Sequence, residues 1–111
     1  MSKAAIHTGV VAKAALLHFA ALLRRSRKKR NLTLDELADR LGVFTPTVRK
    51  MLDGSASVAI GTYFESAHIL GVPLFDSDSD RFAVTASKTA EIESLLPKRV
   101  RPRQQEIDDD F

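Results

Sequence analysis

The chain contains no cysteine and no tryptophan, and it has only 3 histidines. Without cysteine it can form no disulfide and no zinc–thiolate site, and it has no thiol chemistry. His7, His18 and His68 lie far apart and lack carboxylates at the spacing of metal ligands. The acidic run at residues 76–80 lacks the glycine and the terminal glutamate of a calcium loop, so it predicts a solvated turn. We therefore expect no metal and no cofactor.

Long uncharged apolar runs are missing as well. The most apolar segment, residues 4–23, is interrupted by Lys13 and His18, and its uninterrupted parts are shorter than the roughly 20 residues that span a bilayer. We expect a cytoplasmic protein that does not bind membranes. The sequence also lacks a paired nucleophile and base and a phosphate-binding loop, so we expect neither an enzyme nor a small-molecule substrate.

The 111 residues are 44% apolar, which allows one small domain with tails. The net charge is only +3, but six of the seven residues at positions 24–30 are basic. Such a run on a solvated helix favours a polyanionic partner. Cations at a helix C-terminus also complement the helix dipole, so some of these residues could stabilise the helix and contact no partner.

Directly after the basic run, residues 31–54 have the pattern of two short helices joined by a tight turn. Thr33 and Glu36 form a capping box at the start of the first helix, and Gly42 supplies the backbone that ends it. Neither helix would be stable alone, so the pair needs flanking helices.

The second helix of this pair has its own start signal. Thr45 is an N-cap type, and Pro46 follows at the first helical position, where a missing N–H costs little. We expect Val43 and Phe44 to pin the turn to the core. Three residues should face inward (Val48, Met51 and Leu52), and three should remain outside (Thr47, Arg49 and Lys50).

Apolar periodicity predicts further helices at about Val10–Lys29 and Ile60–Leu70. The sequence therefore predicts an all-α, compact helix-turn-helix bundle of about five helices, with Leu74 and Phe75 covering the core. The first helix carries two apolar stripes, more than one small core needs. Either it is deeply buried in its own domain, or part of it lies at a dimer interface.

Two segments near the C-terminus, residues 81–95 and 98–111, each allow two structural interpretations. Residues 81–85 alternate in polarity and predict either one short strand that pairs across a dimer or a lead into a helix at about residues 86–95. Residues 98–111 imply no packed structure, so they form either a disordered solubilising tail or a recognition peptide with a final aromatic anchor. In the second case the partner-binding residues are Ile107, Asp108, Asp109, Asp110 and Phe111.

The motif resembles the Xre/Cro-like helix-turn-helix repressors. The resemblance rests on LRRSRKKRNLT before the motif, on TLDELADRLGV within it, on glycines at 42 and 54, and on IGTYFESAHILG after it. It covers roughly residues 22–74 and implies a DNA-binding repressor whose second motif helix enters the major groove. The expected organisation is then an N-terminal helical extension (1–21), a DNA-binding domain (22–75), a dimerisation or capping segment (76–97) and a charged flexible tail (98–111).

By position in that family, Thr45, Pro46 and Lys50 fall where base edges are read, and Thr47 falls where a hydroxyl meets phosphate. Arg49 could do either. Lys50 is alternatively a phosphate contact or a solvated charge, and Thr45 is alternatively a cap alone. The predicted DNA-binding set is Arg24, Arg25, Arg27, Lys28, Thr33, Thr45, Pro46, Thr47, Arg49, Lys50 and Ser55.

One departure from the family concerns Leu52. Members of the family often have an acidic residue at this position, and it pairs with a basic residue at the position of Arg27. Arg27 is then either free for phosphate or paired with Asp53. Proline at 46 offers no side-chain hydrogen bond, so we expect modest direct readout with a contribution from DNA shape.

The segment LPKRVR and the acidic, aromatic-terminated end add a resemblance to HipB-like antitoxins encoded beside HipA-type kinase toxins. This resemblance implies a homodimer on a palindromic operator that represses its own operon and holds the toxin inactive. It also implies that residues 81–85 pair across the dimer. The alternatives are a stand-alone, phage-like repressor of the Xre family and a protein-binding module that acts mainly through its tail.

Overall fold

The regular structure of the chain is helical throughout the residues that the computed structural model describes, which are 7–100 and 102. The five helices are α1 (Val10–Lys29), α2 (Leu34–Leu41), α3 (Thr45–Leu52), α4 (Ile60–Leu70) and α5 (Ser79–Ser94). The predicted all-α helix-turn-helix bundle of five helices is confirmed. The chain divides into two units between Phe75 and Asp76, with α1 to α4 in the first and α5 in the second.

The first unit is built on one apolar core. Helix α2 packs on α3 and α4, and α1 packs on α3 and α4. Each helix contributes at least one side chain with no more than 1% exposure: Leu23, Leu37, Val48, Met51 and Leu70. Full burial of such a side chain is worth about 1.5–3 kcal/mol. This packing stabilises α2 and α3, which at 8 residues each are too short to persist alone.

The start and the end of α2 follow the predicted pattern. The Glu36 N–H donates to Thr33 Oγ1 at 3.0 Å, and the Thr33 N–H donates to Glu36 Oε1 at 2.8 Å. The bond from the Thr33 N–H to the carboxylate is the main cause, and the Thr33 side chain a second one, of a Glu36 pKa below its ordinary value. Gly42 ends the helix with a φ of +69°, a conformation that L side chains rarely adopt.

The start of α3 differs from the prediction by one residue. Its N-cap is Phe44, in the extended conformation (φ −82°, ψ 152°), and no side chain caps the helix. Thr45 lies inside the helix, where its hydroxyl donates to Asp35 Oδ1 at 2.6 Å and is not a cap. Val43 packs against the core as expected. The prediction that Phe44 also pins the turn is wrong, because an N-cap side chain lies outside the apolar stripe and that of Phe44 is 86% exposed.

Helix α1 buries only one of its two apolar stripes. Ala20 and Leu23 are buried, and the Phe19 ring stacks on Tyr63 with ring centroids 5.7 Å apart. Val10 is 87% exposed and Leu17 is 48% exposed. A helix of 20 residues is about 30 Å long, more than the short helices α2 to α4 can cover. Deep burial of the whole helix is therefore the wrong alternative, and the dimer-interface alternative stays a prediction.

In the second unit, residues 81–85 are helical, so the prediction of a strand is wrong. The helix also begins at Ser79, well before the alternative prediction of residue 86. Asp78 makes this early start possible, since its carboxylate accepts the N–H groups of Asp80 (2.9 Å) and Arg81 (3.1 Å). The Arg81 guanidinium, bonded twice to Asp76 at 2.8 and 2.6 Å, holds the pKa of that carboxyl below its ordinary value.

The end of the first unit gives a further correction. Leu74 packs against the core, but Phe75 is 83% exposed and does not cover it. Phe75 has a φ of +64° and makes an edge-to-face contact with Phe64, with centroids 6.1 Å apart. No helix in the described part of the chain has the length and apolarity needed to cross a membrane.

Candidate nucleic-acid interface

Helix α3 has one buried face and one exposed basic face. Val48, Met51 and Leu52 fix the helix in the core, as the sequence predicted. Arg49 and Lys50 are exposed on the other side, and the helix contains no acidic residue. A short helix anchored on one side with free cations on the other can present those cations to a groove of nucleic acid.

The start of α3 is apolar and exposed. Phe44 and Pro46 both face solvent, and neither side chain can accept or donate a hydrogen bond. Groups of this kind recognise bases by contact with thymine methyl groups. Phe44 was missed as a site residue because its aromatic side chain beside Val43 predicted burial. The sequence feature that could have predicted its exposure is Val43. This one apolar residue fills the core position after Gly42, so Phe44 is left outside the core.

Thr45 links the starts of the two motif helices through its bond to Asp35. Because its hydroxyl hydrogen is engaged, Thr45 can act toward a base edge only as an acceptor. Thr47 is half-buried one turn from the helix start, and its N–H donates to the Phe44 carbonyl at 2.9 Å. Its hydroxyl keeps the freedom to reach a phosphate.

Two arginines of the basic run brace the motif. Arg24 Nη1 donates to the Leu52 carbonyl at 2.5 Å, at the C-terminal end of α3. Arg27 Nη1 donates to the Leu32 carbonyl at 2.8 Å, just before α2. Arg27 therefore bonds to a backbone carbonyl and not to Asp53. Both side chains are half-buried, and each guanidinium retains further N–H donors.

The other predicted phosphate contacts of the run, Arg25 and Lys28, are exposed. Lys28 shares a helix face with Arg24, four residues earlier. Lys28 also lines an open depression beside the start of α2, together with Arg27, Asn31, Leu32 and Thr33. Thr33 Oγ1 already accepts a hydrogen bond within the capping box, so Thr33 can offer an anion only its hydroxyl hydrogen.

Ser55 lies in the loop after α3. Its Oγ is 2.7 Å from Ser57 Oγ, and its carbonyl accepts the Tyr63 hydroxyl at 2.7 Å. Burial raises the pKa of Tyr63, so this phenol stays protonated and keeps donating. The loop is thus tied to α4 at the point where it leaves α3. The predicted partner-binding residues, 107–111, lie outside the described residues.

The profile of the helix-turn-helix domain family matches residues 18–76, slightly more than half of the chain. The match begins inside α1, ends beyond α4 and includes every predicted DNA-binding residue from Arg24 to Ser55. Comparison with curated proteins and with solved structures gave no match.

Proposed function

Because the chain belongs to the helix-turn-helix domain family of DNA-binding regulators, we propose that it is a sequence-specific transcriptional repressor whose α3 enters the major groove. The observation that carries this proposal is the division of α3 into a buried apolar face and an exposed face with Arg49 and Lys50.

Readout of bases in this proposal combines one strong polar group with apolar contacts. Lys50 donates to the O6 and N7 acceptors of a guanine, a pairing worth about 1–3 kcal/mol of discrimination. Phe44 and Pro46 contact thymine methyls at the start of the helix. Thr45, with its hydroxyl hydrogen held by Asp35, accepts from a base amine. The recognition sequence then combines a guanine with neighbouring A·T pairs.

Phosphate binding is assigned to the exposed cations of α1 and to hydroxyls near the motif. Arg25 and Lys28 are the foremost contacts because neither is engaged with a carbonyl as Arg24 and Arg27 are. The two braced arginines use their remaining N–H groups, and their backbone bonds keep α1 aligned with the motif.

A single α3 of 8 residues reads only a few base pairs. We therefore propose a homodimer on a palindromic operator, with the two recognition helices about 34 Å apart, one turn of DNA.

The test compares single alanine variants in titrations of a selected operator and of a scrambled duplex. Lys50→Ala should remove most of the preference for the operator, while Arg25→Ala should weaken binding to both duplexes alike and reduce the salt slope by about one. The matched control is Lys13→Ala, which removes the same charge from an exposed position of α1 outside the basic run.

Equal loss of operator and scrambled affinity in Lys50→Ala would make Lys50 a phosphate contact and remove it from base readout. An effect of Lys13→Ala as large as that of Arg25→Ala would mean that net charge, and not position, controls binding.

A second proposed role is that of an antitoxin. Its support is the sequence of residues 106–111, in which acidic residues precede the aromatic Phe111, and the partner we propose is a HipA-type kinase toxin held by residues 107–111. Deleting residues 104–111 should abolish capture of a kinase encoded beside this gene and leave operator binding intact. Undiminished capture would refute the assignment of the tail.

A further inference from the structure

The first turn of α2 carries two carboxylates with different contacts. Glu36 closes the capping box, since its Oε1 accepts the N–H of Thr33. Asp35 instead bonds to the other helix of the motif, because its Oδ1 accepts the hydroxyl of Thr45, in the first turn of α3, at 2.6 Å. The helix dipole favours an acidic residue at this place in α2, but it does not require a bond between the two helices.

The charge of Asp35 is not balanced by a bound cation. Asp35 is exposed, and within the described part of the chain the one ion pair joins Arg81 to Asp76. No donor among the described residues reaches the second carboxylate oxygen of Asp35, Oδ2. A negative charge beside the start of α3 opposes binding to every DNA sequence, because it repels phosphate. Such a charge is useful at an interface where it also discriminates between partners.

The Asp35–Thr45 pair presents acceptors and no donor, because the hydroxyl hydrogen of Thr45 is held by the carboxylate. In the major groove, guanine presents two acceptors, and thymine presents an acceptor and a methyl group, so neither base can donate to the pair. Adenine presents a donor beside an acceptor, and that acceptor repels a carboxylate. Cytosine presents a donor with no acceptor of its own in the groove. Of the four bases, cytosine therefore matches the pair best.

We propose that Asp35 determines specificity at one position of each half-site, where it selects a cytosine together with Thr45. Asp35 fixes Thr45 as an acceptor, and its own Oδ2 accepts from the N4 amine of the cytosine. The inference rests on the proposed function, because it requires α3 to enter the major groove. It adds a cytosine to the recognition sequence and assigns its recognition to a residue outside α3.

The test is the variant Asp35→Asn, titrated with duplexes in which each base pair of the selected operator is substituted singly. Apart from the pair whose recognition depends on Lys50, the original chain should prefer cytosine about tenfold at one position of each half-site. In Asp35→Asn this preference should move to adenine, because an amide has one acceptor and one donor and matches adenine N6 and N7. Affinity for the scrambled duplex should rise, since a charge that repels phosphate is removed.

The matched control is Asp39→Asn, which removes the same charge from an exposed position one turn later in α2. It should leave the preference for bases unchanged. A second variant, Thr45→Val, removes the hydroxyl with little change of shape and should weaken the cytosine preference at the same position as Asp35→Asn does. Thermal unfolding of each variant checks that the compared chains are folded.

Two results would overturn the inference while the proposed function stands. One is an operator whose guanine preference depends on Lys50 but at which no further position prefers cytosine. The other is a base preference of Asp35→Asn equal to that of the original chain, which is the result expected if Asp35 only stabilises the fold. A chain that prefers no sequence at all would refute the proposed function, and this inference with it.

Discussion

We predict that replacing Phe44 with serine stabilises the fold and weakens DNA binding. Phe44 is the N-cap of α3, yet no side chain accepts a hydrogen bond from the N-terminal N–H groups of that helix. Serine at this extended position can share the Thr47 N–H, which donates to the carbonyl of residue 44 at 2.9 Å, in a three-centre bond. A single substitution can therefore supply the side-chain cap that α3 lacks.

The expected change in the free energy of unfolding follows from the added cap and from the exposure of the Phe44 ring. A serine cap is worth about 1 kcal/mol relative to alanine. Phe44 is 86% exposed, so its removal uncovers little, on the order of 30 Å² or ~0.7 kcal/mol. Phe44→Ala should lose about that amount, and Phe44→Ser should recover it and equal or exceed the original stability. In a domain of this size, the gap of about 1 kcal/mol between the two variants amounts to 4–8 °C in Tm.

The assay pairs thermal and urea unfolding with operator titration of the same three proteins. Both variants should bind the operator more weakly, because both lose the ring that we propose contacts thymine methyls. Equal stabilities of the serine and alanine variants would refute the assignment of Phe44 as the N-cap. A loss above about 2 kcal/mol in both variants would show that the ring is buried. Unchanged operator affinity would remove Phe44 from the interface.

Three further predictions concern the first unit. Met51→Ala, at a position with 0% exposure, should lower the free energy of unfolding in urea by about 2–5 kcal/mol; a loss below 1 kcal/mol would contradict the packing. Gly42→Ala and Gly71→Ala should each cost about 1–2 kcal/mol in the same assay, because both glycines have positive φ. The Cβ at Gly71 would meet only the movable end of the exposed Arg30 side chain, so a cost at Gly71 several times that at Gly42 would contradict this account. Glu36 has a lowered pKa in the folded chain, so its stabilisation is complete above its unfolded pKa, about 4.3, and is lost as pH falls through the folded value. The Tm difference between the original protein and Glu36→Gln should therefore shrink on acidification from pH 6 toward pH 3, and a constant difference would count against the capping box.

The positions of the helices could be predicted because their signals are local. The capping box at Thr33, the left-handed glycine at 42 and the apolar period of α4 each act within one or two turns. The start of α5 could not be placed as well. Residues 81–85 alternate like a strand, and the carboxylate of Asp78, which caps the helix, lay in a run that predicted only a solvated turn.

Individual site residues were harder to predict, because their partners are distant in sequence or depend on a shift of one residue. The bond from Arg24 to the Leu52 carbonyl spans 28 residues, and nothing in the basic run distinguishes this arginine from its neighbours. Thr45 is a residue type that favours the N-cap. In the structure Phe44 occupies that position and Val43 packs on the core, which leaves Phe44, an expected core residue, exposed.

The central claim is that this chain recognises a DNA sequence through α3. Its most direct test is fluorescence anisotropy of the purified full chain with DNA from upstream of its own gene, beside a scrambled fragment, across a salt series. The account predicts a preference of about a thousandfold or more for the upstream fragment, lost in Lys50→Ala. Equal, steeply salt-dependent binding to both fragments would contradict it, because the basic run would then be only an electrostatic grip.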